Sequence, residues 1–216
     1  MKIIALGSPG VGKGTYTQDL VKILGVVHVS TGDLFRRHMQ ESSTLGKKAK
    51  EYIHRGELVP DEITISMVQE RLAQPECQTQ GFILDGFPRT IAQAEALDRI
   101  TPLDLVIDFT ADHHIILDRL SGRIICRSCG RIYHLKSIIP KKPGMCDFCQ
   151  GEVYQRDDDL AQVVEERLRH YAQQAAPLLA YYRQKGLLRE IHINEEYGLH
   201  KEMIQQRILK VIKTFK

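Results

Sequence analysis

Apolar residues along this chain alternate between short unbroken runs and stretches in which they recur at helical spacing. Ile3 to Leu6 is an unbroken run that stops at Gly7, the texture of a strand buried on both faces. Val26-Val-His-Val29, Gly81-Phe-Ile-Leu-Asp85, Leu103 to Phe109 and Leu187 to Ile193 are read as four further strands. A helix starts near Lys13, with Leu20, Val21 and Leu24 on one face. Others are expected over 90–100, 112–122, 160–184 and 199–214, and over 44–74 with breaks at Gly56 and Pro60. Ser30 or Thr31 caps one more helix, with Asp33 in its first turn. His28 is read as a core or edge histidine of the second strand.

The first strand runs directly into Gly7-Ser-Pro-Gly-Val-Gly-Lys-Gly-Thr15. Strand, glycine-rich turn and helix is the context that a phosphate-binding loop needs. Glycines leave room for phosphate oxygens. The loop N–H groups and the helix N-terminus point at an anion, and Lys13 adds a mobile positive charge. Gly14 stands where a Ser or Thr usually follows the lysine, and Thr15 comes one residue later.

Further along, Gly81 to Asp85 is a strand ending in an acid, which puts Asp85 where ligands bind in open α/β sheets. Gly86-Phe-Pro-Arg89 follows at once and brings an arginine to the same sheet edge as Lys13. Gln93, one turn into the next helix, carries an amide able to read a base edge through a paired donor and acceptor. Leu58 and Val59 form an exposed apolar pair in a loop, able to cover a base. The second strong signal is Cys126-Arg-Ser-Cys129 with Cys146-Asp-Phe-Cys149, the spacing of a closed, structural four-thiolate Zn²⁺ site. Iron or cobalt fits the same sulfurs. The segment around them, 123–159, has little apolar content, so a metal worth on the order of 10 kcal/mol is the expected staple. Cys77 lies outside this set.

Composition narrows the partners. A formal charge of +3 over 216 residues is too small to argue for nucleic acid. Four apolar residues before Gly7 are too few for a signal peptide, and no run approaches a membrane span, so a cytoplasmic protein is expected. Five cysteines in a reducing compartment argue for metal or free thiols.

The motifs in order are the phosphate loop, Ser30-Thr-Gly-Asp-Leu-Phe-Arg36, Glu57-Leu-Val-Pro-Asp61, Asp85-Gly-Phe-Pro-Arg-Thr90, four cysteines, and Arg156-Asp-Asp. Together they resemble the adenylate kinases of the long bacterial type with a zinc-bearing lid, within the nucleoside monophosphate kinases. The resemblance covers about residues 1 to 195. It implies an α/β fold of the P-loop NTPase type: a five-stranded parallel sheet flanked by helices. It divides the chain into a core (1–29, 60–122 and 160–216), a helical AMP-binding segment (30–59) and a zinc-binding lid (123–159).

The activity implied is reversible, Mg²⁺-dependent phosphoryl transfer from ATP to AMP, giving two ADP and serving adenine nucleotide homeostasis. Gly10, Val11, Gly12, Lys13, Gly14, Thr15, Arg119, Arg123, Ile132 and Tyr133 resemble the ATP site. Thr31, Arg36, Glu57, Leu58, Val59, Gly86, Phe87, Pro88, Arg89, Gln93, Arg156 and Arg167 resemble the AMP site. Lys13, Arg36, Arg89, Arg123, Arg156 and Arg167 are the charges expected on the transferred phosphoryl group. Asp33 and Asp85 are expected to anchor Mg²⁺ through water, and one Zn²⁺ to sit on Cys126, Cys129, Cys146 and Cys149. The family pattern implies a monomer, with ATP, AMP and ADP as partners and neither nucleic acid nor membrane.

Two features depart from the pattern. Ile124 follows Arg123 where many relatives have a second arginine, and Asn194 to Leu199 fits the last ATP-contacting loop loosely. Two other readings stand beside this one. A kinase for another nucleoside monophosphate would differ at Thr31 and Gln93. A zinc-ribbon nucleic-acid binder would use Arg127, Arg131, Lys136, Lys141 and Lys142, but leaves the phosphate loop and Asp85 to Arg89 unexplained.

Overall fold

The structure is a computed structural model that describes residues 1–40, 49–50, 52–53, 55, 57–159 and 161–215. Its centre is a five-stranded parallel sheet of β1 (Lys2–Gly7), β2 (Val27–Ser30), β3 (Phe82–Asp85), β4 (Leu105–Thr110) and β8 (Leu188–His192), in the order β2-β3-β1-β4-β8. The central strands alternate between two apolar layers. Ile3, Ala5, Ile83, Leu105, Ile107 and Phe109 face one layer, whereas Ile4, Leu6, Phe82, Leu84 and Val106 face the other. Burial on both faces is why these strands read as unbroken apolar runs.

Helices complete each layer. Tyr16 and Leu20 of α1 (Lys13–Leu24) and Ile204, Ile208 and Ile212 of α8 (Tyr197–Thr214) pack on the first face. The second face is covered by Val68 and Leu72 of α3 (Asp61–Leu72), Cys77 of α4 (Pro75–Gln80), Ala94 and Leu97 of α5 (Ile91–Ile100), and Leu178 and Tyr182 of α7 (Ala161–Gln184). Helix α2 (Thr31–Gln40) follows β2 without a loop, and α6 (His113–Ser121) follows β4. Ser30, rather than Thr31, caps α2: its hydroxyl accepts the Asp33 N–H at 3.3 Å.

Most expected elements lie within two residues of their sequence bounds. Helix α3 ends at Leu72, and Pro75 then opens the separate short helix α4. Gly56 and residues 44–48, 51 and 54 of the helix expected over 44–74 lie outside the described residues. Between α6 and α7 the chain forms a second sheet of β5 (Arg123–Cys126), β6 (Ile132–His134) and β7 (Val153–Tyr154), antiparallel in the order β6-β5-β7. No helix among the described residues is long and apolar enough to cross a membrane.

Candidate active site

Strand β1 lies where the sheet order turns, with β3 on one side and β4 on the other, so a crevice forms beyond its carboxyl end. There the chain leaves the sheet at Gly7 and enters α1 through Gly12, whose φ of 104° is open to glycine and strained for other residues. A hollow of about 520 Å³ opens over this loop. It is lined by Gly10, Gly12, Lys13, Gly14, Thr15, Asp33, Asp85, Pro88, Arg119, Arg123, Ile132 and Tyr133. A β-carbon at position 14 would sit 3.1 Å from Ile132 Cδ1, so glycine after the lysine lets β6 come down on the loop.

Lys13 is folded back onto the loop, its Nζ donating to the carbonyls of Gly7 at 2.5 Å and Ser8 at 2.9 Å. Burial lowers its pKa from 10.5 to about 8; Arg89, Arg167 and Arg123 push the same way, and Asp85 opposes them. Asp85 Oδ2 lies 3.9 Å from His28 Nε2, which is itself 3.2 Å from Thr17 Oγ1. Asp33 is paired with Arg36. Burial raises the Asp33 pKa, but the Arg36 charge and hydrogen bond outweigh it and leave the carboxyl below its ordinary value. Arg119 donates to three backbone carbonyls: Val11 at 2.7 Å, Ile193 at 3.2 Å and Glu195 at 3.0 Å.

A second hollow, about 80 Å³, lies beside the first and is lined by Thr31, Glu57, Leu58, Val59, Gly86 and Gln93, among others. Thr31 Oγ1 donates to the Gly86 carbonyl at 2.9 Å, which ties the start of α2 to the turn after β3. Arg36, Arg89, Arg156 and Arg167 line both hollows. Arg167 and Arg123 converge on Asp159, a carboxylate with no exposed surface that ends the 3₁₀ turn Asp157–Asp159. Arg123 Nε donates to it at 2.7 Å and Arg167 at 3.3 Å.

The structure thus brings all but two of the expected site residues to one crevice or its cysteine-bearing cover. Val11 and Phe87 instead turn fully buried side chains into the two core layers.

The four expected cysteines meet at the far end of the second sheet, their sulfurs all within 4.8 Å of one another. Cys126 and Cys149 are 3.4 Å apart and Cys129 and Cys146 3.6 Å, close to the ~3.8 Å edge of a tetrahedron with ~2.3 Å Zn–S bonds. The Tyr133 hydroxyl lies 3.4 Å from Cys146 Sγ. Burial pushes the Cys146 thiol up, yet Tyr133 and the N–H groups of Cys149 and Phe148 hold it down, whereas burial and the neighbouring sulfurs push the Cys129 thiol up. The donor set and spacing fit a closed four-thiolate site.

The family model for adenylate kinase matches residues 5–187. The chain belongs to the adenylate kinase family. It is 49% identical over 216 residues to an adenylate kinase of Carboxydothermus hydrogenoformans, covering 95% of this chain and all of the relative. It is 50% identical over 196 residues to that of Moorella thermoacetica, covering 88% and 90% of the two chains. An adenylate kinase of Archaeoglobus fulgidus is 46% identical over 220 residues, covering 99% of this chain and all of the relative.

Several residues line the larger hollow of this family member without having stood out in the sequence. His28, read as a core or edge position, is half-buried there beside Asp85. Tyr171, Gln174 and Leu178 join Arg167 along one face of α7, a stripe that helical spacing from Arg167 could have revealed. Asn194 and Glu196 come from the loosely fitting loop and carry no local signal. Asp159 could have been suspected as the last acid of Arg156-Asp-Asp-Asp, but its pairing with two arginines is a tertiary fact.

Proposed function

We propose that the larger hollow takes ATP and the smaller one AMP, and that this chain passes a phosphoryl group between them to give two ADP. The observation that carries the reading is the wall the hollows share. Arg36, Arg89, Arg156 and Arg167 line both, so phosphates entering from either side meet the same guanidinium groups. Phosphoryl transfer is mostly positioning and charge stabilisation, so a set of fixed cations suffices and no protein nucleophile is required. Guanidinium forks grip two oxygens at once, which suits charge spread over a transferring phosphoryl group.

In this reading Gly10 to Thr15 cradle the ATP phosphates, and Lys13 leaves the loop carbonyls for the β and γ groups. Arg119, held in its own plane by three carbonyls, keeps a flat face for the adenine. Arg123, Ile132 and Tyr133 close over ATP from the second sheet. Thr31, Glu57 to Val59, Gly86 to Arg89 and Gln93 form the AMP site. The family uses Mg²⁺ with ATP; Asp33 and Asp85 would hold its water shell, and the ion would neutralise phosphate charge.

Residues 123–159 act as a lid that closes over the nucleotides and excludes water, the competing acceptor. Residues 30–59 act as the AMP-binding segment beside the core 1–29, 60–122 and 160–216. One Zn²⁺ on Cys126, Cys129, Cys146 and Cys149 keeps the lid rigid as it moves. A cytoplasmic monomer without nucleic-acid or membrane partners completes the reading.

The test is ADP formation from ATP and Mg²⁺ with each of AMP, GMP, CMP and UMP, repeated on Arg89→Ala. Turnover with AMP alone, reduced by about 10²–10³ in the variant, is the expected result. Turnover with a different monophosphate, or an unimpaired Arg89→Ala, refutes the assignment.

A further inference from the structure

We infer that Asp61 is a positioning residue that fixes which way round Gln93 presents its amide, and thereby selects 6-amino over 6-oxo purine monophosphates. The inference rests on the reading of Gln93 as the residue facing the base in the smaller hollow.

Asp61 is the first residue of α3, just after the Glu57-Leu-Val-Pro stretch. Both its oxygens are engaged. Oδ2 accepts the Thr90 hydroxyl at 2.7 Å and Oδ1 accepts Gln93 Nε2–H at 2.7 Å. Gln93 Oε1 in turn accepts the Arg89 backbone N–H at 2.7 Å. Thr90, the N-cap of α5, closes the ring by accepting the Gln93 backbone N–H at 3.2 Å. Gln93 is 2% exposed, so water does not stand in for any of these partners.

The two ends of an amide have nearly the same shape and differ only in polarity. Here both neighbours have a polarity that cannot change. A backbone N–H only donates, and a carboxylate only accepts. One orientation of Gln93 satisfies both, whereas the flipped one sets donor against donor and acceptor against acceptor. The locked amide retains one hydrogen on Nε2 and one lone pair on Oε1, a donor and an acceptor side by side. Adenine offers the matching pair, an amino donor at N6 and an acceptor at N1. A 6-oxo purine offers the reverse pair, and only a flipped amide would match it. A polar site that leaves such groups mismatched discriminates strongly between otherwise similar substrates.

Asp61→Asn separates polarity from shape, because an asparagine amide presents either end. The comparison uses kcat/KM for AMP and the inhibition constant of inosine monophosphate, a 6-oxo purine without the 2-amino group of guanine. Asp61→Asn should narrow the discrimination between them by about tenfold or more, with KM for ATP unchanged. Gln93→Met, which lacks the amide, serves as the control on the underlying reading. Should Gln93→Met keep the wild-type discrimination, Gln93 does not read the base and both claims fall. Should Gln93→Met lose it while Asp61→Asn keeps it, the lock alone is refuted. A fall in kcat and melting temperature with discrimination intact gives Asp61 a merely structural role and overturns the inference. If Asp61→Asn does not fold, Asp61→Ser replaces the acceptor-only carboxylate with a hydroxyl that can donate or accept, and the discrimination should narrow in the same direction; an unchanged value there also refutes the lock.

Discussion

Lys13→Met should make the nucleotide-free protein more stable while nearly abolishing its activity. The lysine is half-buried at the wall of the hollow, and desolvation there lowers its pKa from 10.5 to about 8. At neutral pH its charge is therefore held at a cost of about 3 kcal/mol, taking ~1.36 kcal/mol per unit. Methionine fills similar space without the charge but gives up the hydrogen bonds to the carbonyls of Gly7, which lines the open hollow, and Ser8. The net gain expected is about 1–3 kcal/mol, or roughly 2–10 °C in melting temperature for a chain of this length. Activity should fall about 10²–10³ if Lys13 takes the proposed role of meeting transition-state charge.

The sign of the pH dependence follows from the lowered pKa. Between pH 8 and 10.5 the folded lysine is neutral while the unfolded one still binds a proton, so wild-type stability gains relative to the variant as pH rises. The penalty is complete below pH 8 and gone above 10.5. Urea denaturation of both proteins at pH 7 and at several values up to 10.5, without nucleotide or Mg²⁺, measures this difference. A variant no more stable than wild type at pH 7, or an advantage that does not shrink by pH 10.5, refutes the reasoning.

Two further perturbations probe the cover of the site. Asp159→Asn should lower the melting temperature by several degrees, the opposite sign to Lys13→Met, because a fully buried carboxylate leaves two paired arginines without its charge. Calorimetry checks this, and an unchanged melting temperature would show that Arg123 and Arg167 re-pair without cost. On the proposed zinc site, chelation should lower thermal stability before activity is lost, because the four cysteines lie at the far end of the second sheet and do not line the hollows. Scanning calorimetry alongside activity at 25 °C follows both, and loss of activity in a folded, metal-free protein would contradict it.

The phosphate loop, the arginine-bearing motifs and the paired cysteines were legible because each depends on local spacing. Gly7 to Thr15 form one continuous turn, and Cys126/Cys129 and Cys146/Cys149 each make a compact pair that only has to meet its twin. The central strands β1, β3 and β4 were legible because burial on both faces leaves them few polar residues, whereas the edge strands β2 and β8 are only partly buried and keep more of theirs. Asp108 on β4 breaks that rule at 2% exposure; burial, with Glu190 nearby, pushes its carboxyl up to about 6, and nothing in the flanking residues marks it.

What the chain order could not supply was contact between residues far apart in it. Arg119 reaches Val11 and the carbonyls of 193 and 195, and Asp159 joins Arg123 to Arg167. Asp61 meets Thr90 and Gln93 across about thirty residues. Each is a buried or half-buried polar group among partners chosen by the sheet order and by helix packing, and its own neighbours in sequence impose no pattern on it. Local chemistry therefore determined which ligands this protein is built to hold. The tertiary structure alone decided how the charged and amide groups are oriented, because buried hydrogen bonds are satisfied by whatever the fold brings within reach.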